Sequence, residues 1–544
     1  MSTSSPSPTT HTSPPAEVDP HPLKAWLHDG QEIALLDVRE AGQFGESHLF
    51  YAIPLPYSRL EMGIRRLVPR LNTRVVVYDS GTEGVAVKAA QRIQALGYSQ
   101  VFVLRGGTAA WAAAGRVLFQ GVNLPSKTFG ELVELHLGTP HITAQELAQR
   151  QARGDNLVVL DGRPLSEFAK MNIPGGICCP NGELALRIGQ MAPDPNTTVV
   201  INCAGRTRSI IGAQTLINMG IPNPVLALKN GTQGWYLVDL PLEHGNRRRH
   251  PLMPPEEDLS ARRAQARALA QRHGATTVTA SEVQSWLQAT DRSCFVLDVR
   301  TPEEFAQGSL AGAQSAPGGQ LLQATDQYVG VRGARLVLVD DDGVRAPVVA
   351  SWLRQMGWQA HVLQDGVQAH LDAISVARRP TPIHQATPLS VAEAARWQQA
   401  GQLTVLDLRA SFAYRTAHLP GSVWSIRPQV VAQLQSMKQA ADHAVLLVAD
   451  EPDVAHLAAL DLIEAGYGPV HLLEGGLQAW SAAGHAVHSS PANPPDAQCI
   501  DYLFFVHDRH DGNKEAARRY LDWETGLLAQ LDADELAGFH VMAP

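Results

Sequence analysis

Cys203 closes a short apolar run, Val199-Val200-Ile201-Asn202, and is followed by Ala204-Gly205-Arg206-Thr207-Arg208-Ser209. The β-branched run predicts a buried parallel strand. From Ser209 onward a helical pattern opens, with apolar residues at Ile210, Ile211, Ala213, Leu216 and Ile217. A cysteine on the loop between them meets converging backbone N–H groups, a helix N-terminus and the guanidinium groups of Arg206 and Arg208. Such surroundings favour the thiolate, which is the nucleophilic form of cysteine. The chemistry this predicts is a reactive thiolate on a loop.

The strand that delivers Cys203 belongs to a unit written four times. An apolar-Asp-x-Arg pattern occurs at Leu36-Asp37-Val38-Arg39, Leu160-Asp161-Gly162-Arg163, Leu297-Asp298-Val299-Arg300 and Leu406-Asp407-Leu408-Arg409. A glycine-bearing turn follows 68–70 residues after each aspartate, ending at Gly107, Gly231, Gly366 and Gly476. Four residues later stands Trp111, Trp235 or Trp480, with His370 in the third copy. Strands alternate with helices inside the unit, which predicts an α/β fold: parallel sheets covered by helices on both faces, with sites at the carboxyl ends of strands.

Counting from the aspartate of each Asp-x-Arg, Cys203 stands 42 positions on, and so does Asp79 in the first copy. Asp341 and Asp450 stand 43 positions on in the third and fourth copies. An aspartate is therefore expected wherever the second copy has its cysteine. The loops lose their cations as well, with Gly81-Thr82-Glu83-Gly84 in copy one, Glu451-Pro452-Asp453 in copy four, and Arg345 alone kept in copy three. An aspartate over a helix N-terminus is a stable structural arrangement, so these three copies are expected to be inactive scaffold.

The Asp161-Gly162-Arg163 turn, Glu167-Phe168, Ile173-Pro174-Gly175-Gly176, Cys203-x-Gly205-x-x-Arg208-Ser209 and Asn230-Gly231 to Trp235 resemble, in this order and spacing, the rhodanese (sulfurtransferase) homology domain. The resemblance covers about residues 20–488 in four copies. It implies four tandem rhodanese-like domains, 19–122, 138–243, 272–375 and 386–488, after a disordered leader 1–18 and before a C-terminal α+β extension 496–544. In that extension Tyr502 to Val506 is expected as a strand and Lys514 to Leu531 as an amphipathic helix docking on a neighbouring domain. Linkers are expected at 120–138, with a helix from Phe129 to Leu135 packed on a domain, at 243–272 and at 376–388.

The activity that the resemblance implies is transfer of a sulfane sulfur from thiosulfate or a related persulfide donor through a persulfide on Cys203. Ala204, Gly205, Arg206, Thr207, Arg208 and Ser209 would cradle the sulfur and bind the donor, with Arg208 open to a second role bracing the loop. Asp161 and Arg163 recur in the copies without cysteine and are read as a structural turn near the site, with Glu167 and Trp235 also structural. Cys178 and Cys179 follow the Pro-Gly loop and are either resolving thiols or small buried hydrophobes; Cys294 is expected buried. A rival reading is a non-enzymatic scaffold or persulfide sensor using the degenerate domains to bind partners. A phosphatase is disfavoured because Arg208 follows Cys203 by five positions, one fewer than in the phosphatase relatives of this fold.

Composition agrees with a multi-domain globular protein: 544 residues, 44% hydrophobic, 18% charged and a net charge of −9. The acidic balance argues against nucleic acid and anionic membranes as partners. Five cysteines without regular spacing, and no signal-like start, are consistent with free thiols in a reducing cytoplasm. The expected partners are a small anionic sulfur donor and a thiol or protein acceptor, with no cofactor, no metal and the oligomeric state left open.

Overall fold

The computed structural model describes residues 14–252, 259–372, 385–507 and 512–542. Four five-stranded parallel sheets are present, one per copy, and each has the strand order 1-5-4-2-3. In the second copy the order across the sheet is His141–Ile142, Val225–Leu228, Thr198–Asn202, Leu157–Asp161 and Ile177–Cys178. Burial on both faces explains the apolar centre of the central strand, Val199-Val200-Ile201. Val199 and Ile201 pack with Leu160, Leu184 and Leu216 on one face, while Val200 packs with Ile142, Leu147 and Trp235 on the other.

The Asp-x-Arg turn is built identically in all four copies. In the second, Asp161 Oδ1 and Oδ2 accept from Arg163 Nε (2.8 Å) and Nη2 (2.7 Å), and Nη2 also donates to Met171 O. The other copies repeat this with Ser47 O, Gly308 O and Ala417 O, each eight residues beyond the arginine's partner aspartate plus two. The tryptophans also repeat: Trp111, Trp235 and Trp480 each donate from Nε1 to a carbonyl six residues on. In copy three, where His370 stands, the glycine turn opens only a 3-10 turn, Gly366–Gln368.

Several expected boundaries shift. Residues 16–18 are not leader: Ala16–Val18 is the edge strand of the first sheet, paired with Phe102 to Leu104, and residues 1–13 lie outside the described residues. Most of the expected 376–388 linker also lies outside them, and Thr387–Leu389 is the edge strand of the fourth sheet. The 120–138 linker contains a longer helix than expected, Leu124–Leu137, and the 243–272 linker contains Ser260–Arg272.

The C-terminal strand expected at Tyr502 to Val506 is instead a short helix, Phe504–His507. Its aromatic residues find rings rather than a sheet edge: Tyr502 stacks on Phe412 with centroids 3.9 Å apart, and Phe505 meets Trp523 at 5.2 Å. The amphipathic helix forms over Lys514–Thr525. The extension docks on every copy, not one. Arg415 of copy four pairs with Asp496, Gly42 N of copy one donates to Ile500 O, Lys514 pairs with Asp239 of copy two, and His540 N donates to Gln355 O of copy three.

Arginines join the copies to one another. Arg345 of copy three reaches Glu183 of copy two at 2.8 Å and also pairs with Glu304, Asp341 and Asp342. Arg427 of copy four pairs with Glu61 of copy one at 2.6 Å. Copies one and three share a backbone bridge between Ile33 and Arg332.

Candidate active site

Cys203 leaves the end of strand Thr198–Asn202 and is only 2% exposed. Its carbonyl accepts from Thr232 N at 2.9 Å, and that of Ala204 accepts from Gln233 N at 3.1 Å, both on the first turn of the Trp235 helix. Gly231 makes this approach feasible: its φ is +53°, and a Cβ there would lie 2.3 Å from Cys203 O. Trans peptide geometry turns the following N–H groups to the opposite side. None of the six N–H groups from Ala204 to Ser209 donates to another described residue. A run of unpartnered amides at a helix start is an anion cradle. Cys203 Sγ lies 3.6 Å from Ser209 Oγ, whose own hydroxyl donates to Arg206 O.

Both loop arginines are already paired. Arg206 donates from Nε (2.8 Å) and Nη2 (2.9 Å) to the Glu131 carboxylate and also to Glu134, both on the linker helix. Arg208 donates from Nη1 (2.9 Å) and Nη2 (2.7 Å) to Glu167, and its Nη1 reaches Gln320 of copy three at 3.4 Å. Burial opposes both charges, but the carboxylates outweigh it and hold both guanidinium groups above their ordinary pKa. Arg208 also interacts electrostatically with Cys203.

The extension covers the loop. Glu524, fully buried on the helix Lys514–Thr525, accepts from Lys127 Nζ and, at 3.4 Å each, from Thr207 Oγ1 and Tyr520 OH. Its Oε2 has no hydrogen-bond partner, and a Cβ on Gly205 would stand 2.7 Å from it. Lys127 lies 5.1 Å from the Tyr520 ring centroid, a cation–π contact.

Asp161 and Arg163 lie beneath the loop, where Asn202 Nδ2 donates to Asp161 Oδ2 at 2.6 Å. Cys178 is buried, with Sγ donating to Arg163 O at 3.4 Å, and burial pushes its thiol up to about 12. Cys179 is fully buried among Leu160, Leu184 and Ile201, and burial pushes its thiol well above the ordinary value. No group of three or more His, Cys, Asp or Glu residues suited to a metal ion occurs among the described residues. No described helix is long and apolar enough to cross a membrane.

Glu131, Glu134, Lys127, Gln320 and Glu524 were not visible as site residues in the sequence. The only local hint is the pair Glu131 and Glu134, three apart in the apolar stretch Phe129 to Leu135 of the linker helix. Glu524 lies 317 positions from Thr207, and no spacing rule reaches that far.

The family model of the Rhodanese-like domain matches residues 19–114, 143–237, 279–373 and 390–483. The chain belongs to the rhodanese-like family. The crystal structure of thiosulfate sulfurtransferase from Pseudomonas aeruginosa is 43% identical and superposes with a TM-score of 0.87, covering 97% of this chain and 100% of that one. The 3-mercaptopyruvate sulfurtransferase of Escherichia coli is 24% identical over 220 residues, 36% of this chain and 77% of that protein. The probable adenylyltransferase/sulfurtransferase MoeZ of Mycobacterium tuberculosis is 31% identical over 97 residues, 18% of this chain; the match spans about a quarter of MoeZ's length (24%).

Superimposed by register, the four rhodanese-like domains correct one expectation. The glycine that would clash with Cys203 O in copy two is matched by Gly107 on Asp79 O, Gly366 on Asp340 O and Gly476 on Ala449 O. The equivalents of Cys203 are therefore Asp79, Asp340 and Ala449, not Asp341 and Asp450, so copy four carries an alanine. In copies one and three the aspartates fill the cradle with their own carboxylates. Asp79 accepts from Gly81 N (2.7 Å) and Ala86 N (3.0 Å), and Asp340 accepts from Ala346 N (2.8 Å).

Proposed function

We propose that the protein is a sulfurtransferase that carries a sulfane sulfur on Cys203, with one active domain among four. The observation that carries this reading is the contrast between cradles. Amides that bind an internal carboxylate in copies one and three are left without a partner around Cys203 in copy two. The thiosulfate sulfurtransferase named above, 43% identical along nearly the whole chain, supports thiosulfate as the donor.

In the first half-reaction the Cys203 thiolate attacks the outer sulfur of thiosulfate. The S–S bond of the donor breaks, its electron pair leaves with sulfite, and Cys203 is left as a persulfide anion. In the second, an acceptor thiolate attacks the outer sulfur, taking it as a new persulfide and returning the Cys203 thiolate. Two covalent half-reactions give ping-pong kinetics. The amides of residues 204–209 hold the anionic sulfur, and the Ser209 hydroxyl can turn from Arg206 O to the charged sulfur. Arg208, tethered by Glu167, stabilises the departing sulfite; Arg206, locked by Glu131 and Glu134, holds the loop to the linker helix. Cys178 and Cys179 take the role of buried packing residues.

Intact-protein mass after incubation with thiosulfate tests the reading. Wild type gains one sulfur atom, which cyanide removes, and Cys203→Ser gains none. Uptake that persists in Cys203→Ser, or no uptake from thiosulfate, mercaptopyruvate or glutathione persulfide, overturns it. The deep burial of Cys203 favours one second reading, a persulfide sensor that holds sulfur without turnover; steady-state transfer to cyanide separates the two.

A further inference from the structure

A cavity of about 500 Å3 lies between copies one and three, floored by the start of the linker helix and closed by the last turns of the C-terminal extension. None of the loop residues 203–209 is among its described lining, and the strand residues Ile33, Ile53 and Gln359 at its wall are at amino ends. Its volume falls within the range of small-molecule sites.

The walls are apolar, with Leu27, Ile53, Val329, Met356 and Trp358 among them, and a few polar groups are set into them. Arg332 is positioned by its backbone, whose N–H donates to Ile33 O at 2.9 Å, and by its side chain, whose guanidinium carbon stands 3.6 Å over the Tyr51 ring. No described carboxylate forms an ion pair with it; its side chain hydrogen-bonds Tyr51, and Asp534 lines the same cavity. Asp326 lines the same cavity with a buried Oδ1 that has no hydrogen-bond partner, and His28 lines it with a buried Nε2 in the same condition. Burial raises the Asp326 carboxyl to about 7 and lowers the His28 imidazole. Buried polar atoms without partners cost free energy. Both atoms are closed off from the open space of the cavity, so the group left for an occupant is Arg332, which is braced on the Tyr51 ring and forms no ion pair with a described carboxylate.

We propose that this cavity binds an aromatic small-molecule anion. The carboxylate or sulfonate lies on Arg332, and the ring system lies against Trp358, Met356 and Val329. Arginine suits this role because its planar fork matches carboxylate and sulfonate oxygens. The site is distinct from the Cys203 loop and does not depend on what that loop does.

The probe is 8-anilino-1-naphthalenesulfonate, which carries a sulfonate and fused rings. Titrated into the full-length protein, it binds with one equivalent per chain and a rise in fluorescence. Arg332→Gln weakens binding by about tenfold or more, as expected for loss of a charge-assisted hydrogen bond. Ala537→Trp, an exposed position at the rim, fills the space and abolishes binding. Cys203→Ser leaves binding unchanged. Far-UV circular dichroism and the melting temperature show that each variant is folded, and Ala537→Trp provides the test should Arg332→Gln unfold. No binding, several equivalents, or binding indifferent to both cavity variants overturns the proposal.

Discussion

Glu524, on a helix outside the fourfold repeat, stands so close to Gly205 that a Cβ there would meet its Oε2 at 2.7 Å. The active loop of copy two is therefore shaped against a residue more than three hundred positions away. Gly205 is required by that approach rather than by its own backbone angles. Gly205→Ala must push the covering helix outward, and the Cys203 alkylation rate with iodoacetamide should rise as the cover loosens.

Lys127 and Glu524 are both buried and pair with each other. Glu524→Gln keeps an acceptor for Thr207 but removes the carboxylate paired with the Lys127 ammonium. The expected loss is about 3 kcal/mol of stability, as for other buried pairs broken on one side, measured by urea denaturation. Removing both charges together, Lys127→Met with Glu524→Gln, should recover part of it.

Cysteine labelling at pH 8 should separate the five thiols. Burial holds Cys178 and Cys294 up to about 12, and Cys179 well above its ordinary value. They stay protonated and unreactive in the folded protein. Peptide mass spectrometry is expected to find Cys203 modified ahead of all three, and equal labelling only in denaturant. Modification of Cys178 before Cys203 would contradict the packing role given to it.

The cluster of carboxylates around Arg345 should weaken in acid. Burial raises the Glu304 carboxyl, but its hydrogen bonds and charge pairing with Arg345 prevail and lower it to about 2. The folded value lies below the unfolded one, near 4.5, so the unfolded chain binds the proton first. This contribution is complete above pH about 4.5 and disappears as pH falls toward 2. The melting-temperature gap between wild type and Glu304→Gln should be widest near pH 6 and shrink steadily below pH 4.5.

Asp79 offers a control on the degenerate copies. Asp79→Ala orphans the amides of Gly81 and Ala86, with a cost of about 1–2 kcal/mol, the range for a lost helix cap. Sulfur uptake should stay at one atom per chain. A fall in uptake would give copy one a part in the chemistry.

Much of this was written in local pattern. The Asp-x-Arg turns, the glycine turns and the single Cys203 loop are short-range devices, so the four sheets and the odd copy could be read directly. Copy four misled because an acidic residue, Asp450, sits one place beyond the true equivalent, Ala449. A one-residue slip along a strand end changes which side chain faces the cradle. The Tyr502–Val506 stretch misled because aromatic β-formers were given ring partners instead of a sheet edge. The ion pairs of Arg206 and Arg208 come from a linker helix and from a helix of the same copy, and only tertiary packing brings such distant carboxylates together.

The 2% exposure of Cys203 bears on how long a loaded enzyme would last. A sulfur atom parked on an open cysteine is soon stripped by whatever thiol drifts past or burned by oxidants. Under the cover formed by the Lys514–Thr525 helix, a sulfur on Cys203 would be out of reach of both, so supply and demand would not need to coincide in time. The toll falls on throughput: each delivery must wait for the cover to breathe, and the tempo of that motion, rather than appetite for donor, would set the pace.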